Sequence, residues 1–249
     1  CFGPDGRKPD PMRIVRLEDT PLLPVWRRPI TLLFMMALAM PIAFNTWSAL
    51  LNNFVIEVAG FDGSDIGWLH TVREIPGFLA VGVIVLIIFI REQVLGLVAL
   101  IMLGAATAIT AYFPSMGGIL TLTMLSSIGF HYYETVNQSL QLQWIETARA
   151  PQMIGWLMAA GSAVTFVAYV LIVMTWEALG LSYAFVYMVS GGITVAIAVF
   201  CLFAYPQFEA PHPPFKTFCL SLRSWLYHAL QCLAVDRRRH VDAVVRCLM

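Results

Sequence analysis

The chain has 249 residues, of which 59% are hydrophobic and 12% are charged, and its formal net charge is zero. Soluble domains are about 45–50% apolar and about 25% charged, so the composition excludes an ordinary soluble domain. The balanced charge excludes recognition of nucleic acid by a basic surface. Five cysteines without close pairs exclude a disulfide framework and a paired-cysteine zinc site. An integral membrane protein remains.

Six apolar segments are long enough to cross about 30 Å of hydrocarbon, which takes about 20 helical residues. They cover residues 29–58, 65–90, 94–112, 118–145, 153–176 and 181–205. The connections between them are short, which makes consecutive helices antiparallel neighbours. We therefore predict an all-α, six-helix transmembrane bundle over residues 29–206. A cytoplasmic segment (1–28) precedes the bundle, and a basic cytoplasmic tail (207–249) follows it.

Lys and Arg are distributed unevenly between the two sides of the predicted six-span bundle. All of them except Arg73 lie before the first span, in the loops after the second and fourth spans, or after the sixth. The loops on the opposite side carry Glu57, Asp62, Asp65 and Glu177. Because cytoplasmic loops are enriched in Lys and Arg, we expect both termini to be cytoplasmic.

Small residues and prolines predict how the helices pack. In lipid, small side chains mark helix contacts. They occur as Gly104 with Ala108 in the third span, as Gly155 with Ala159 and Gly161 with Ser162 in the fifth, and as Gly191 and Gly192 with Ala196 in the sixth. The third span is the most uniformly apolar, and we expect it at the periphery. Pro41 and the Pro76–Gly77 pair interrupt the first two spans, either as static kinks or as breaks that expose backbone to a cavity.

The fourth span carries the densest set of polar side chains. Spacings of three, four and three residues put His131, Glu134, Gln138 and Gln141 on one helical face, with Asn137 and Tyr133 beside them. Such a face cannot point at hydrocarbon, because polar groups at membrane depth are costly. It must therefore face protein or water.

The first two spans offer possible partners for this face. The first carries Asn45, Asn52 and Trp47, and the second carries Arg73 and Glu74. One hypothesis is a water-filled cavity between the first, second and fourth spans. In it, Glu134 would be a proton or cation site tuned by His131, the amides would bind a polar solute, and Tyr133 and Trp47 would stack on it.

The alternative hypothesis is an interhelical hydrogen-bond network that only holds the bundle together. For Arg73, the corresponding alternative is a structural ion pair with Glu74 or Asp65. No complete catalytic set, glycine-rich phosphate loop or metal-ligand cluster stands out in the sequence. We therefore predict neither an enzyme nor a cofactor.

The segment 60–69, GFDGSDIGWL, resembles the G-x-S-x-x-x-I-G-x-L pattern of the major facilitator superfamily. Six spans with both ends inside are similar to the N-terminal half of such a transporter, and the resemblance covers roughly residues 28–210. The segments 73–78 and 129–140 are similar to a poorly characterised prokaryotic branch. The resemblance therefore implies a bacterial inner-membrane protein. The family's G-x-x-x-D-R-x-G-R-R loop between helices 2 and 3 is reduced here to IREQV at residues 90–94.

The resemblance implies alternating-access transport of a small solute, with proton coupling through Glu134 as one possibility. Family transporters have two six-helix halves, whereas the segment 225–238 resembles a degraded start of the second half. We expect a truncated or frame-disrupted product, a half-size protein that forms a homodimer, or a tail that lies on the bilayer surface. Transport would require pairing with a second half or a second copy. The alternative function is a non-transporting membrane remnant or an interaction or assembly subunit.

Overall fold

The computed structural model describes residues 14–79 and 82–209. Within these residues the chain is mainly helical, with seven α-helices joined by short loops and 3₁₀ turns. The helices are α1 (Pro29–Glu57), α2 (Gly63–Leu79), α3 (Gly82–Phe89), α4 (Glu92–Ile109), α5 (Met116–Trp144), α6 (Ala150–Trp176) and α7 (Tyr183–Ala204). Two short strands, β1 (Ile14–Arg16) and β2 (Gln207–Glu209), flank the helices in the chain. The predicted tail from residue 210 onwards lies outside the described residues.

The all-α prediction is confirmed, and five of the six predicted spans correspond to single helices. Proline and serine set some of their boundaries. Pro29 occupies the first turn of α1, where its missing N–H is not needed. Ser115 and Ser182 cap α5 and α7 by accepting hydrogen bonds from Gly118 N and Phe185 N.

The second predicted span differs from the prediction because it consists of two helices. The axes of α2 and α3 differ by 51°. Pro76 lies inside α2, three residues before that helix ends. In contrast, α1 continues through Pro41, whose ring lies 3.5 Å from the position that a Cβ would take on Gly161. Pro41 therefore forms part of a packed helix contact.

Four of the described helices are long and apolar enough to cross a membrane, namely α1, α4, α6 and α7. Taken together, the bent pair α2–α3 is also long and apolar enough to form one span. The helix α5 is as long as α1, but its polar side chains keep it out of this set. Length and composition thus indicate membrane association and identify four spans, or five with the bent pair. The sixth span, over α5, stays a prediction.

The third predicted span lies inside the bundle, so the expectation that it is peripheral is wrong. It corresponds to α4, which packs against α5, α7 and α1. In the apolar 18-residue stretch of this helix 56% of residues are buried, compared with 11% in the corresponding stretch of α6. A uniformly apolar surface suits a protein core as well as lipid, because apolar side chains gain little from one over the other. Hydrophobicity alone therefore does not assign the position of this helix.

Small residues of the third and sixth spans meet where α4 and α7 cross, although Gly192 of the predicted set has open space around it. A Cβ on Gly191 would overlap the carbonyl oxygen of Gly104 and lie 2.6 Å from the backbone nitrogen of Ala108. Only glycine allows backbones to approach this closely. The fifth span is mixed, because a Cβ on Gly161 would lie 3.3 Å from the Ala37 carbonyl oxygen of α1, whereas Gly155 has open space around it.

Contacts between aromatic and polar side chains define one end of the bundle, which we call the basic end. There α1, α4 and α6 begin and α5 and α7 end. The Trp144 and Phe208 rings lie 5.4 Å apart, and the buried Gln93 side chain donates to Pro206 O (2.9 Å) and accepts from Phe208 N (3.0 Å). The strand β1 pairs in parallel with β2 at this end. The segment before α1 is thus joined to the chain that follows α7.

Candidate functional site

The polar side chains of α5 lie partly on an uncovered face of the bundle. Glu134 and Gln138 are exposed, and His131 and Gln141 are half-buried. We call these four residues the α5 polar face. The predicted common face is therefore retained in the folded chain.

The two flanking residues lie deeper in the bundle. Tyr133 is buried and packs in the main apolar core. Asn137 is half-buried, and its Oδ1 has no hydrogen-bond partner among the described residues. The structure therefore does not bring Tyr133 to the α5 polar face, where it was expected to stack on a solute.

The helix α2 covers α5 up to the polar face and then ends. Ser127 Oγ donates to the carbonyl oxygen of Arg73. Four residues further along α5, the His131 ring lies 3.5 Å from the position of a Cβ on Gly77. A Cβ at residue 77 would make ordinary van der Waals contact with this ring. Because α2 ends at Leu79 and α3 leaves at 51°, the bend leaves the next turn of α5, which carries Glu134, without this cover.

Glu134 lies near the middle of a helix of membrane-spanning length. The helix runs from Met116 to Trp144, and at about 1.5 Å per residue Glu134 is roughly 15 Å from its nearer end. Within the described residues its carboxylate has no hydrogen bond or ion pair. An acidic side chain at the centre of a membrane helix costs about 2.5–3.5 kcal/mol relative to water. Contact with water or with a further polar surface would remove this penalty.

The first of the three predicted α1 residues, Asn45, contacts a helix other than α5. Asn45 Nδ2 donates to Thr165 Oγ1 of α6 at 2.7 Å, which is the kind of interhelical bond that the network hypothesis predicts. The Phe44 and Phe130 rings stack at 4.0 Å at the contact between α1 and α5. Asn45 therefore faces α6 rather than the α5 polar face.

The other two predicted α1 residues, Trp47 and Asn52, differ in burial. Trp47 is fully buried in a second apolar cluster, so in this structure it is not available to stack on a solute. Asn52 is exposed, and no hydrogen bond of its side chain is found among the described residues. Only Asn52 of the three α1 residues thus remains free for a polar ligand.

Arg73 and Glu74 form the ion pair that the sequence left open. Arg73 Nε and its terminal NH2 lie 3.2 and 3.1 Å from Glu74 Oε1. The Glu74 side chain is 63% exposed and that of Arg73 is 27% exposed. Exposed pairs of this kind contribute at most about 1 kcal/mol to stability, so the pair neutralises charge on α2 more than it holds the fold.

The structure adds a polar cluster that sequence reasoning missed. Glu92 Oε2 at the start of α4 accepts hydrogen bonds from Ser139 Oγ (2.9 Å) and Gln143 Nε2 (2.7 Å) of α5. Ser139 and Gln143 also bond to each other at 2.9 Å. Their spacing of four residues was a signal for a shared helical face. Their partner was unpredictable, because it depends on the register between α4 and α5.

A cavity of about 550 Å³ lies away from the α5 polar face, between α1, α6 and α7. Its walls are mainly apolar and include Leu38, Ile42, Val164, Ala168, Phe185 and Ile193. It is therefore not the polar cavity that was predicted between the first, second and fourth spans. In the part of the chain that the structure describes, no group of three His, Cys, Asp or Glu side chains could hold a metal ion.

A comparison with protein-family models finds no match, and a comparison with curated proteins finds no significant match. The chemistry of the site therefore rests on its own geometry. That geometry places an uncovered carboxylate, an imidazole one turn away and two amides along one membrane-length helix. Such a set can exchange protons and hydrogen-bond a polar solute.

Proposed function

We propose that the chain is a six-helix half of a transporter that resembles the major facilitator superfamily and moves a small polar solute by alternating access. The observation that carries the proposal is the exposed position of Glu134 and Gln138 on α5. Leaving these groups against hydrocarbon is costly. A water-filled path against a second half or a second copy of the chain would hydrate them.

The bend between α2 and α3 supports the same proposal. Next to the contact of Gly77 with His131, it leaves the Glu134 side chain of α5 exposed. Transporters use interrupted helices where backbone or side chains line a solute path. In this proposal His131, which lies one turn from Glu134 on the same helical face, is the partner of Glu134 in proton transfer.

The proposal also fixes an orientation and a compartment. The basic end carries Arg27, Arg28, Arg91 and Arg149, and the opposite end carries Glu57, Asp62, Asp65 and Glu177. By the positive-inside relation, the basic end is cytoplasmic, in a bacterial inner membrane. The bilayer and protons are then partners of the chain, together with the solute.

Proton flux in vesicles tests this function. The purified chain is reconstituted with a pH-sensitive dye inside, and sugars, amino acids and carboxylates are added outside in turn. The wild type should acidify the vesicles with at least one solute class, and Glu134→Gln should abolish this uptake. Glu146→Gln is the matched control, because Glu146 is exposed in the loop before α6. Equal proton flux in the wild type and Glu134→Gln would remove Glu134 from the mechanism.

A second candidate function is an interaction or assembly subunit. It is favoured by α6, which packs mainly against α1 and leaves large apolar side chains uncovered, such as Phe166 (69%) and Val173 (72%). Crosslinking in native membranes discriminates the two functions. A stable complex with a different membrane protein, together with no solute-dependent proton flux, would favour the assembly role.

A further inference from the structure

Three buried polar side chains in the interior of the bundle have no hydrogen-bond partner within the described part of the chain. They are Trp47 of α1, Thr107 of α4 and Ser126 of α5, and each is fully buried. Trp47 Nε1, Thr107 Oγ1 and Ser126 Oγ have no hydrogen-bond partner among the described residues. Buried polar groups are nearly always hydrogen-bonded, and exceptions commonly mark a bound water or ion.

The register of the helices brings these three residues to one depth. A Cβ on Gly96 would lie 3.1 Å from both Met36 Cε and Val136 Cγ1, so α1, α4 and α5 meet there. Eleven residues, or about three turns, lead from Met36 to Trp47 on α1 and from Gly96 to Thr107 on α4. Ten residues back along the antiparallel α5 lead from Val136 to Ser126.

Some buried hydroxyls of the bundle have partners: Thr110 donates to Ala106 O at 2.8 Å and Thr194 donates to Ala39 O at 2.8 Å. Among the described residues, unpartnered buried groups also occur away from this layer, for example at Arg27 and Gln207. Further unpartnered groups lie close to the layer. Tyr187, whose hydroxyl is also unpartnered, shares one apolar cluster with Trp47.

We propose that a buried water site lies between α1, α4 and α5, bridged by Trp47, Thr107 and Ser126. The indole N–H can only donate, whereas the two hydroxyls can donate or accept. One water molecule can therefore accept from Trp47 Nε1 and donate to both hydroxyl oxygens, which gives the three bonds typical of buried water. A cation does not suit the site, because the indole N–H directs a positive edge into it.

Magnetic resonance of the indole group tests the site directly. The full chain is labelled with ¹⁵N-tryptophan in detergent micelles, and Trp47→Phe assigns the Trp47 signal among the seven tryptophans. The Trp47 indole proton should show a cross-peak to water, which Thr107→Val should weaken. Thr110→Val is the control, since the hydroxyl of Thr110 already has a partner. Absence of the cross-peak, or a cross-peak that Thr107→Val leaves unchanged, would overturn the proposal.

Thermal unfolding provides a second test, which does not require the Trp47 resonance to be assigned. Thr107→Val and Ser126→Ala should each shift the melting temperature, and the double variant should shift it by no more than the larger single change, because both remove the same water. Thr110→Val combined with Ser126→Ala should instead give the sum of their separate shifts. Additive shifts for Thr107→Val and Ser126→Ala would refute a shared water.

Discussion

The contact between α4 and α7 predicts an unusually sharp difference between two adjacent glycines. A Cβ on Gly191 would overlap the carbonyl oxygen of Gly104 and lie 2.6 Å from Ala108 N, whereas a Cβ on Gly192 has open space around it. The obstructing atoms at Gly191 belong to the backbone of α4, so a side-chain rotation cannot relieve the overlap. Normal contact would require the two helices to separate by roughly 1 Å.

Two opposing contributions set the change in unfolding free energy of each glycine-to-alanine variant. Replacing glycine by alanine inside a helix favours the helix by about 0.8–1.0 kcal/mol, and this gain is common to both positions. Overpacking of a tight core contact costs about 1–3 kcal/mol and applies to Gly191→Ala alone. Gly191→Ala should therefore unfold more easily than Gly192→Ala by about 1–3 kcal/mol.

Thermal unfolding of the purified chain in detergent, followed by circular dichroism, measures this difference. For a chain of this size, each 1 kcal/mol corresponds to a shift of about 2–4 °C in melting temperature. Gly192→Ala should melt at or above the wild-type temperature, and Gly191→Ala should melt clearly below Gly192→Ala. Equal melting temperatures for the two variants would show that α4 and α7 are not packed through their backbones.

Three further predictions concern the polar contacts. Gln93→Leu leaves Pro206 O and Phe208 N without their partner, so stability should fall by about 1–3 kcal/mol and the Phe208 amide should exchange its hydrogen faster; unchanged exchange would contradict this contact. A double-mutant cycle of Asn45→Leu and Thr165→Val should give a coupling of about 0.6 kcal/mol, the average for such bonds in membranes, whereas no coupling would show that their 2.7 Å bond does not persist. Glu92→Leu should destabilise the chain by about 1.5–3 kcal/mol through its lost charge-assisted bonds, more than Glu146→Gln, whose ion pair with Arg149 is exposed; similar effects of the two variants would argue against the Glu92 cluster.

The helices were predictable because their signals are local. Apolar length, Pro29 in the first turn of α1 and the serine caps of α5 and α7 act within a few residues of each boundary. The shared face of His131, Glu134 and Gln138 also follows from helical spacing alone. None of these features needs knowledge of a neighbouring helix.

The positions of the helices were less predictable because they depend on tertiary register. The third span was expected outside and lies inside, since an apolar surface suits both lipid and a protein core. Asn45 was expected to face the fourth span and instead bonds to Thr165 of the fifth. The Phe44–Phe130 stack occupies the contact between α1 and α5, and aromatic residues in two apolar helices carry no signal for such pairing.

Thiol accessibility measures whether the α5 polar face borders water. In a variant without the five native cysteines, Gln138→Cys is compared with Leu125→Cys, because both positions are exposed on α5. A charged, membrane-impermeant thiol reagent is applied to the chain in membrane vesicles. We expect fast labelling of Gln138→Cys and little labelling of Leu125→Cys, which would face lipid. Protection of both positions from the charged reagent would contradict a water-filled path along α5.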